Sequence, residues 1–230
     1  MVARDAIARV LLDLPSGVVR WASAPGERLP RSGSGVAAVD ALLGGGWPRG
    51  KVCAVRAEGA LSCGATALAA GTVAAATRRG ALAAWVDGDA SLDPGSLAAA
   101  GADLGRVLWV RGPLSFDKAL LAAEEVLKAE GFEVLVIRAA GAQRRVRGEA
   151  RAASWLRLSR AVERARAVVL ALGDGTTIPG AFAVRLEGLR ARWDGTPGVS
   201  AVLLGATLHV AYEDRAIETR MASIEAAPWT

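Results

Sequence analysis

The stretch Gly59-Ala60-Leu61-Ser62-Cys63-Gly64-Ala65-Thr66 lies between an apolar run, Lys51 to Arg56, and a run of small residues through Thr77. That order predicts a strand, a glycine-bounded loop and a helix. The spacing is that of G-x-x-x-x-G-K-[ST]. In that motif backbone N–H groups cradle phosphates, the lysine reaches the β- and γ-phosphates, and the hydroxyl holds Mg²⁺. Both glycines, Gly59 and Gly64, and Thr66 are in place, but Ala65 stands where the lysine belongs and carries no charge. The loop has the shape of a nucleotide site without its main cation.

The flanking pattern repeats the strand–helix alternation. Ala81 to Val86 reads as a second strand, ending in Asp87-Gly88-Asp89, and Ser96 to Ala100 as a short helix. Val107 to Val110 is a third strand, and Ser115 to Ala129 an amphipathic helix. Glu133 to Ile137 is near-continuously apolar, as strands of a parallel sheet covered on both faces are. An arginine-rich helix over roughly 149–165 and a strand from Ala167 to Leu172 follow. From Phe182 the pattern turns strand-like, at 183–189, 200–204 and 207–212. Alternating strands and helices predict an α/β fold with a mostly parallel central sheet flanked by helices, and the last third adds antiparallel strands. Upstream, Val36 to Leu43 reads as a short helix closed by Gly44-Gly45-Gly46. No internal repeat is present.

At 230 residues the chain has room for one large α/β domain and a small N-terminal appendage. Its organisation reads as a helix and linker at 1–28, a core at 29–220 and a tail at 221–230. No apolar run reaches the roughly 18 residues that span a bilayer. The first residues lead into no signal-peptide core, so a cytoplasmic, nucleoid-associated protein without membrane contact is expected. Cys53 and Cys63 lack the company of metal ligands and His209 is the only histidine, so no metal site is expected. The net charge is +5. Between Arg138 and Arg166, however, nine arginines face only Glu149 and Glu163, so the basicity is concentrated in one segment, as a polyanion-binding surface requires.

Over roughly Leu29 to Tyr212 these residues together resemble the RecA recombinase core. Ser32-Gly33-Ser34-Gly35-Val36 through Asp40-Ala41-Leu42, then Gly44-Gly45-Gly46-Trp47-Pro48-Arg49-Gly50, is similar to the family's lead-in to its first core strand. The decayed loop follows, and Val86 to Pro94 resembles the stretch that carries a catalytic glutamate, placing Asp89 at that position. The resemblance implies an aspartate at the end of strand 134–137 to order Mg²⁺, where this chain has Arg138. It also implies an Asn-Gln pair after the strand at 168–172, where this chain has Gly173-Asp174. Phosphoryl transfer rests on positioning and on charge stabilisation by lysine and metal. With Ala65 and Arg138 in those places, an enzyme is not expected, nor a cofactor. Arg138 has two readings: it fills the vacated pocket and pairs with Asp87 or Asp89, or it neutralises a nucleotide phosphate without metal.

Among degenerate RecA relatives, the run Gly44 to Gly50 is especially similar to ImuA-type proteins. That resemblance implies an accessory role in mutagenic translesion DNA synthesis during the SOS response. Its partners would be an ImuB-like pseudo-polymerase, RecA and, indirectly, an error-prone DnaE-type polymerase. DNA and a second copy of the chain are further candidates. The alternatives are a weak ATP-binding switch and a division inhibitor of the related SulA type.

Three surfaces are candidates for association. In the arginine helix, Arg157, Arg160 and Arg164 share one face while Trp155, Leu158 and Val162 share another. Arg144, Arg145 and Arg147, in the preceding basic loop, and Arg151 extend the charge. DNA or a DNA-bound protein, a protein partner alone, and a merely solvated face are the readings open there. The resemblance favours DNA, because this region of RecA holds a DNA-binding loop. Near the start, Ile7, Val10, Leu11 and Leu14 form an apolar stripe. It would dock on RecA or another copy, or pack on the chain's own core. Near the end, Trp229 would anchor a partner.

Overall fold

A computed structural model describes residues 29–57, 64–138, 149–173, 182–196, 200–213 and 219–226. The N-terminal stripe, Gly59, Arg144, Arg145, Arg147 and Trp229 lie outside the described residues. The first strand, β1 (Arg31–Ser32), pairs antiparallel with β2 (Trp47–Pro48), on either side of helix α1 (Ala37–Leu42). The main sheet begins with β3 (Lys51–Ala57). It continues through α2 (Ala65–Arg78), β4 (Leu82–Asp87), α3 (Pro94–Ala99), β5 (Val107–Arg111), α4 (Phe116–Lys128) and β6 (Phe132–Arg138). Helix α5 (Glu149–Ala165) then leads to β7 (Val168–Gly173), β8 (Phe182–Thr196), β9 (Ser200–Glu213) and β10 (Thr219–Ala226).

The eight strands lie in the order β10-β9-β8-β3-β7-β6-β4-β5. Strands β8, β3, β7, β6, β4 and β5 run parallel to one another, and β9 and β10 add antiparallel strands at one edge. Two separate cores explain the near-continuous apolar strands. Cys53, Val55, Trp85, Val134, Val136 and Leu170 pack with Leu68, Ala69 and Val73 of α2 and Leu97 of α3. The alternate residues Val52, Ala54, Val86, Leu135, Ile137 and Val169 pack with α4 and α5 through Leu120, Ala123, Trp155, Leu158 and Val162. The central strands β3, β4, β6 and β7 bury both faces because helices cover both.

The glycine-rich lead-in is shaped by close approach. Gly35 has φ 81°, and a Cβ there would run into the Gly71 carbonyl. The chain thus lies against the waist of α2, whose small residues admit it. Trp47 is fully buried, and its Nε1–H donates to Thr72 Oγ1 at 3.0 Å. That Thr72 hydroxyl in turn lies 2.9 Å from the Leu68 carbonyl and 3.2 Å from that of Ser34. One indole therefore fastens the β1–β2 ribbon and the lead-in to α2.

Three sequence expectations change. The three short C-terminal segments are two long strands, β8 and β9. The breaks expected within them are register shifts after Glu187 and after Arg192, which keep the ladder while bending it. The boundary at 220 falls inside β10, whose residues from Thr219 to Ala226 pair with β9. An existing sheet edge, β9, supplies the hydrogen bonds that so short a segment could not make by itself. The helix expected from Ser96 begins at Pro94 instead, because Asp93 caps it by accepting from the Ser96 N–H at 2.8 Å.

Candidate functional site: the loop remnant and its guanidinium

The site is built where β3, β4 and β6 end, at the carboxyl edge of the parallel sheet. In open α/β sheets ligands bind outside that edge. Gly64 takes the left-handed conformation, φ 79° and ψ 4°, and so turns the chain into α2. Ala65 is the first residue of the helix and Thr66 the second. Opposite them, Asp87 and Arg138 are register partners at the ends of β4 and β6.

Arg138 closes the site. Its Nη1 donates to Thr66 Oγ1 at 2.8 Å, and its Nε donates to Asp89 Oδ2 at 2.8 Å. One side chain bridges the start of α2 to the turn after β4. Its own carbonyl accepts from the Gly88 N–H at 2.7 Å, so backbone and side chain grip the same turn. Asp89 also accepts from Ser91 Oγ at 3.0 Å. Partial burial raises the Asp89 carboxyl. The hydrogen bonds from Arg138 and Ser91 and the guanidinium charge outweigh it, and the net result lies below the usual carboxylate value.

Asp87 is the other partner considered for Arg138, and the structure assigns it elsewhere. It is fully buried and accepts from the Ser91 and Leu92 N–H groups, each at 3.0 Å, and from Trp109 Nε1 at 3.3 Å. It shapes the turn that presents Asp89. Sequence spacing could not choose between two aspartates in Asp87-Gly88-Asp89; the turn's N–H groups, which engage the Asp87 carboxylate, do.

In the arginine helix α5, Trp155, Leu158 and Val162 are buried, and Arg157, Arg160 and Arg164 are exposed. Trp155 meets Phe116 of α4 edge to face, with ring centroids 5.7 Å apart. Arg157 is tied down: its Nε lies 3.5 Å from Glu124 Oε1 on α4, and its Nη2 lies 3.4 Å from Ser154 Oγ. Arg160 and Arg164 stand on the same exposed side. The side chain of Arg151 is outside the described residues. The guanidinium over Thr66 and the arginine face of α5 are separate features, on opposite faces of the sheet.

Sequence reasoning passed over two further groups. Glu133, at the amino end of β6, accepts from Ser32 Oγ and from Arg79 Nη2, each at 2.6 Å, with Arg49 Nη1 at 4.0 Å. Arg56 is the penultimate residue of β3, after the apolar run Val52–Val55. An arginine closing a buried strand just before a phosphate-type loop was the signal available.

Comparison with known families agrees with this architecture. The model of the RecA N-terminal domain matches residues 16–168, more than half of the chain. The chain belongs to the RecA family. It is 38% identical over 77 residues to Protein RecA of Prochlorococcus marinus (strain MIT 9211), covering 34% of this chain and 20% of that protein. It is 36% identical over 92 residues to Protein RecA of Lactococcus lactis subsp. cremoris (strain MG1363), covering 39% of this chain and 23% of that protein. The matched stretches thus span about a fifth of those relatives' length. The matched region of the RecA-family chain includes the loop, Asp89 and Arg138.

The side chains in this RecA-family site do not fit a magnesium nucleotide. Thr66, whose hydroxyl would hold the metal, and Asp89, at the position of the catalytic carboxylate, already serve a guanidinium; Arg138 stands where the metal-ordering aspartate would be, and Ala65 cannot reach a phosphate. Metal and guanidinium in that place would repel each other by about 1–4 kcal/mol at 4 Å separation per unit charge product. Among the described residues no group of three or more His, Cys, Asp or Glu gathers as a metal site. None of their helices is long and apolar enough to cross a membrane. Cys53 is a free, buried thiol that burial pushes far up in pKa, which makes it inert.

Proposed function

We propose that this RecA-family chain is a non-catalytic adaptor of the ImuA type, acting in SOS-induced translesion DNA synthesis. It would link RecA or DNA to an ImuB-like pseudo-polymerase and, through it, to an error-prone DnaE-type polymerase. The observation that carries this reading is the Arg138 bridge. A side chain of the chain itself, at the position of the metal-ordering aspartate, joins the hydroxyl that would hold the metal, on Thr66, to Asp89 at the position of the catalytic carboxylate. Phosphoryl transfer needs charge neutralisation at the transferring group. A site whose one cation is spent on its own carboxylate supports association, not turnover.

The association surfaces are the exposed arginines of α5, Arg160 and Arg164, together with Arg144, Arg145, Arg147 and Arg151. The N-terminal stripe and Trp229 would serve protein partners. Phosphate neutralisation by such a segment would be salt-dependent and indifferent to sequence.

Calorimetry with ATP, with and without Mg²⁺, tests the first half: no heat at millimolar nucleotide is expected, and heat without metal would favour the ATP-binding switch. Release of inorganic phosphate that needs Mg²⁺ and is abolished by Thr66→Ala would overturn the reading. Capture from DNA-damaged cells tests the second half. Recovery of RecA or the ImuB-like protein is expected, and recovery of the division protein alone would instead indicate a SulA-type inhibitor.

A further inference from the structure

Arg56 is the unexplained charge in the sheet. Val52 and Ala54 of β3 face α4 and α5, and Arg56, two residues on, follows the same alternation. Its Nε is buried and has no hydrogen-bond partner among the described residues. Its register partner on β8 is Arg185. Val184 and Leu186 belong to the opposite core, so Arg185 shares the face of Arg56. On the other side β7 offers Gly173, which has no side chain to cover the guanidinium.

Two guanidiniums on adjacent strands, whose backbones run about 4.8 Å apart, repel unless an anion lies between them. Arg185 has an interaction of its own, so it brings charge to the site and Arg56 supplies the open donor. By backbone register, Glu213 stands opposite Ala183 on β9, one strand further away, and Glu187 lies beyond the last β3–β8 pair.

We propose that Arg56, beside Arg185, forms a phosphate-type anion site at the carboxyl end of β3, on the sheet face opposite the Arg138 bridge. A guanidinium is charged at every relevant pH, and its planar fork matches a phosphate's oxygens. A free phosphate and a phosphodiester of nucleic acid present the same oxyanion. The proposal does not depend on the adaptor reading: it requires only that the anion bind.

The test uses the full chain, wild type, Arg56→Gln and Arg56→Lys. Inorganic phosphate is titrated while thermal unfolding is followed, and a fluorescent single-stranded oligonucleotide is titrated at several salt concentrations. Stabilisation by phosphate that R56Q loses and R56K keeps would establish the site for the free anion. If the nucleic acid is the source, R56Q weakens oligonucleotide affinity about tenfold. Its salt slope then falls by about one, while R56K stays near wild type. The proposal is overturned if neither probe distinguishes R56Q from wild type, or if R56K, folded by circular dichroism, binds no better than R56Q. An Arg144→Ala/Arg145→Ala/Arg147→Ala variant separates the outcomes, because the Arg56 effect should persist in it whether or not the basic loop binds DNA.

Discussion

Strand β6 carries a charged cluster at each end, and the two are built with opposite signs. At its amino end one carboxylate, Glu133, gathers the Ser32 hydroxyl and the guanidiniums of Arg79 and Arg49. At its carboxyl end one guanidinium, Arg138, gathers the Thr66 hydroxyl and the Asp89 carboxylate. The amino-end cluster sits on a bulge: Phe132 pairs with Leu82 and Val134 with Ala83, which leaves Glu133 as the extra residue. Bulges re-aim side chains, and here the extra residue turns toward β1 and the end of α2. The Glu133 side chain is 17% exposed, whereas Arg138 and Asp89 are 37% and 30% exposed. The same strand thus makes a structural clasp at one end. At the other it makes a more open bridge, where a RecA-family relative would hold a ligand. Depth of burial, more than the number of partners, separates them.

The largest expected effect is at the deeper end. Glu133→Ala strands two arginines and a hydroxyl and should cost about 2–3 kcal/mol in urea unfolding, near the low end for breaking a buried pair because Arg79 remains solvated. Arg138→Ala should cost less, about 1 kcal/mol, since both partners reach water. A larger loss for R138A than for E133A would break the comparison. Pairing R138A with Asp89→Asn in a double-mutant cycle should give a coupling of about 0.5–1 kcal/mol; additive losses would mean the bridge is a contact without energy.

Acid should erode both ends. Burial raises the Glu133 carboxyl, but the Ser32 hydrogen bond and the Arg79 and Arg49 charges outweigh it and hold it below its ordinary value. Asp89 is lowered in the same manner. A carboxylate with a lowered folded pKa stabilises the protein fully above its unfolded pKa, and that contribution is lost as pH falls through the folded value. Stability should therefore drop from about pH 4 downward. Glu133→Gln should make that drop shallower, and an unchanged acid limb would remove Glu133 from the account. The smallest effect belongs to Arg157→Ala, at about 0.5 kcal/mol. Its guanidinium is 60% exposed although its partner Glu124 is only 12% exposed.

The regular elements were readable wherever a local pattern sufficed. Helix α5 was placed at 149–165 from its arginine and apolar spacing, and β6 from four apolar residues in a row. The long β8 and β9 read as fragments because Gly195 and Gly205 look like breaks to a local rule. A ladder of cross-strand hydrogen bonds overrides such a weak preference. The same holds for Met221 to Ala226, which joins the sheet because β9 is there to receive it.

Sequence alone determined that the loop lacks its lysine, that the apolar strand 134–137 runs into a cation, Arg138, instead of a carboxylate, and that strands and helices alternate. These depend on residue identity and short-range spacing. Only the tertiary structure decided where Arg138 goes, because its partners lie 49 and 72 residues away and are brought near it by parallel strands. The same packing gathers Ser32 and Arg79 around Glu133 and sets Arg56 beside Arg185. Charges so far apart along the chain meet only when the sheet's register is fixed, and that register is set by apolar side chains on two faces, not by the charges themselves.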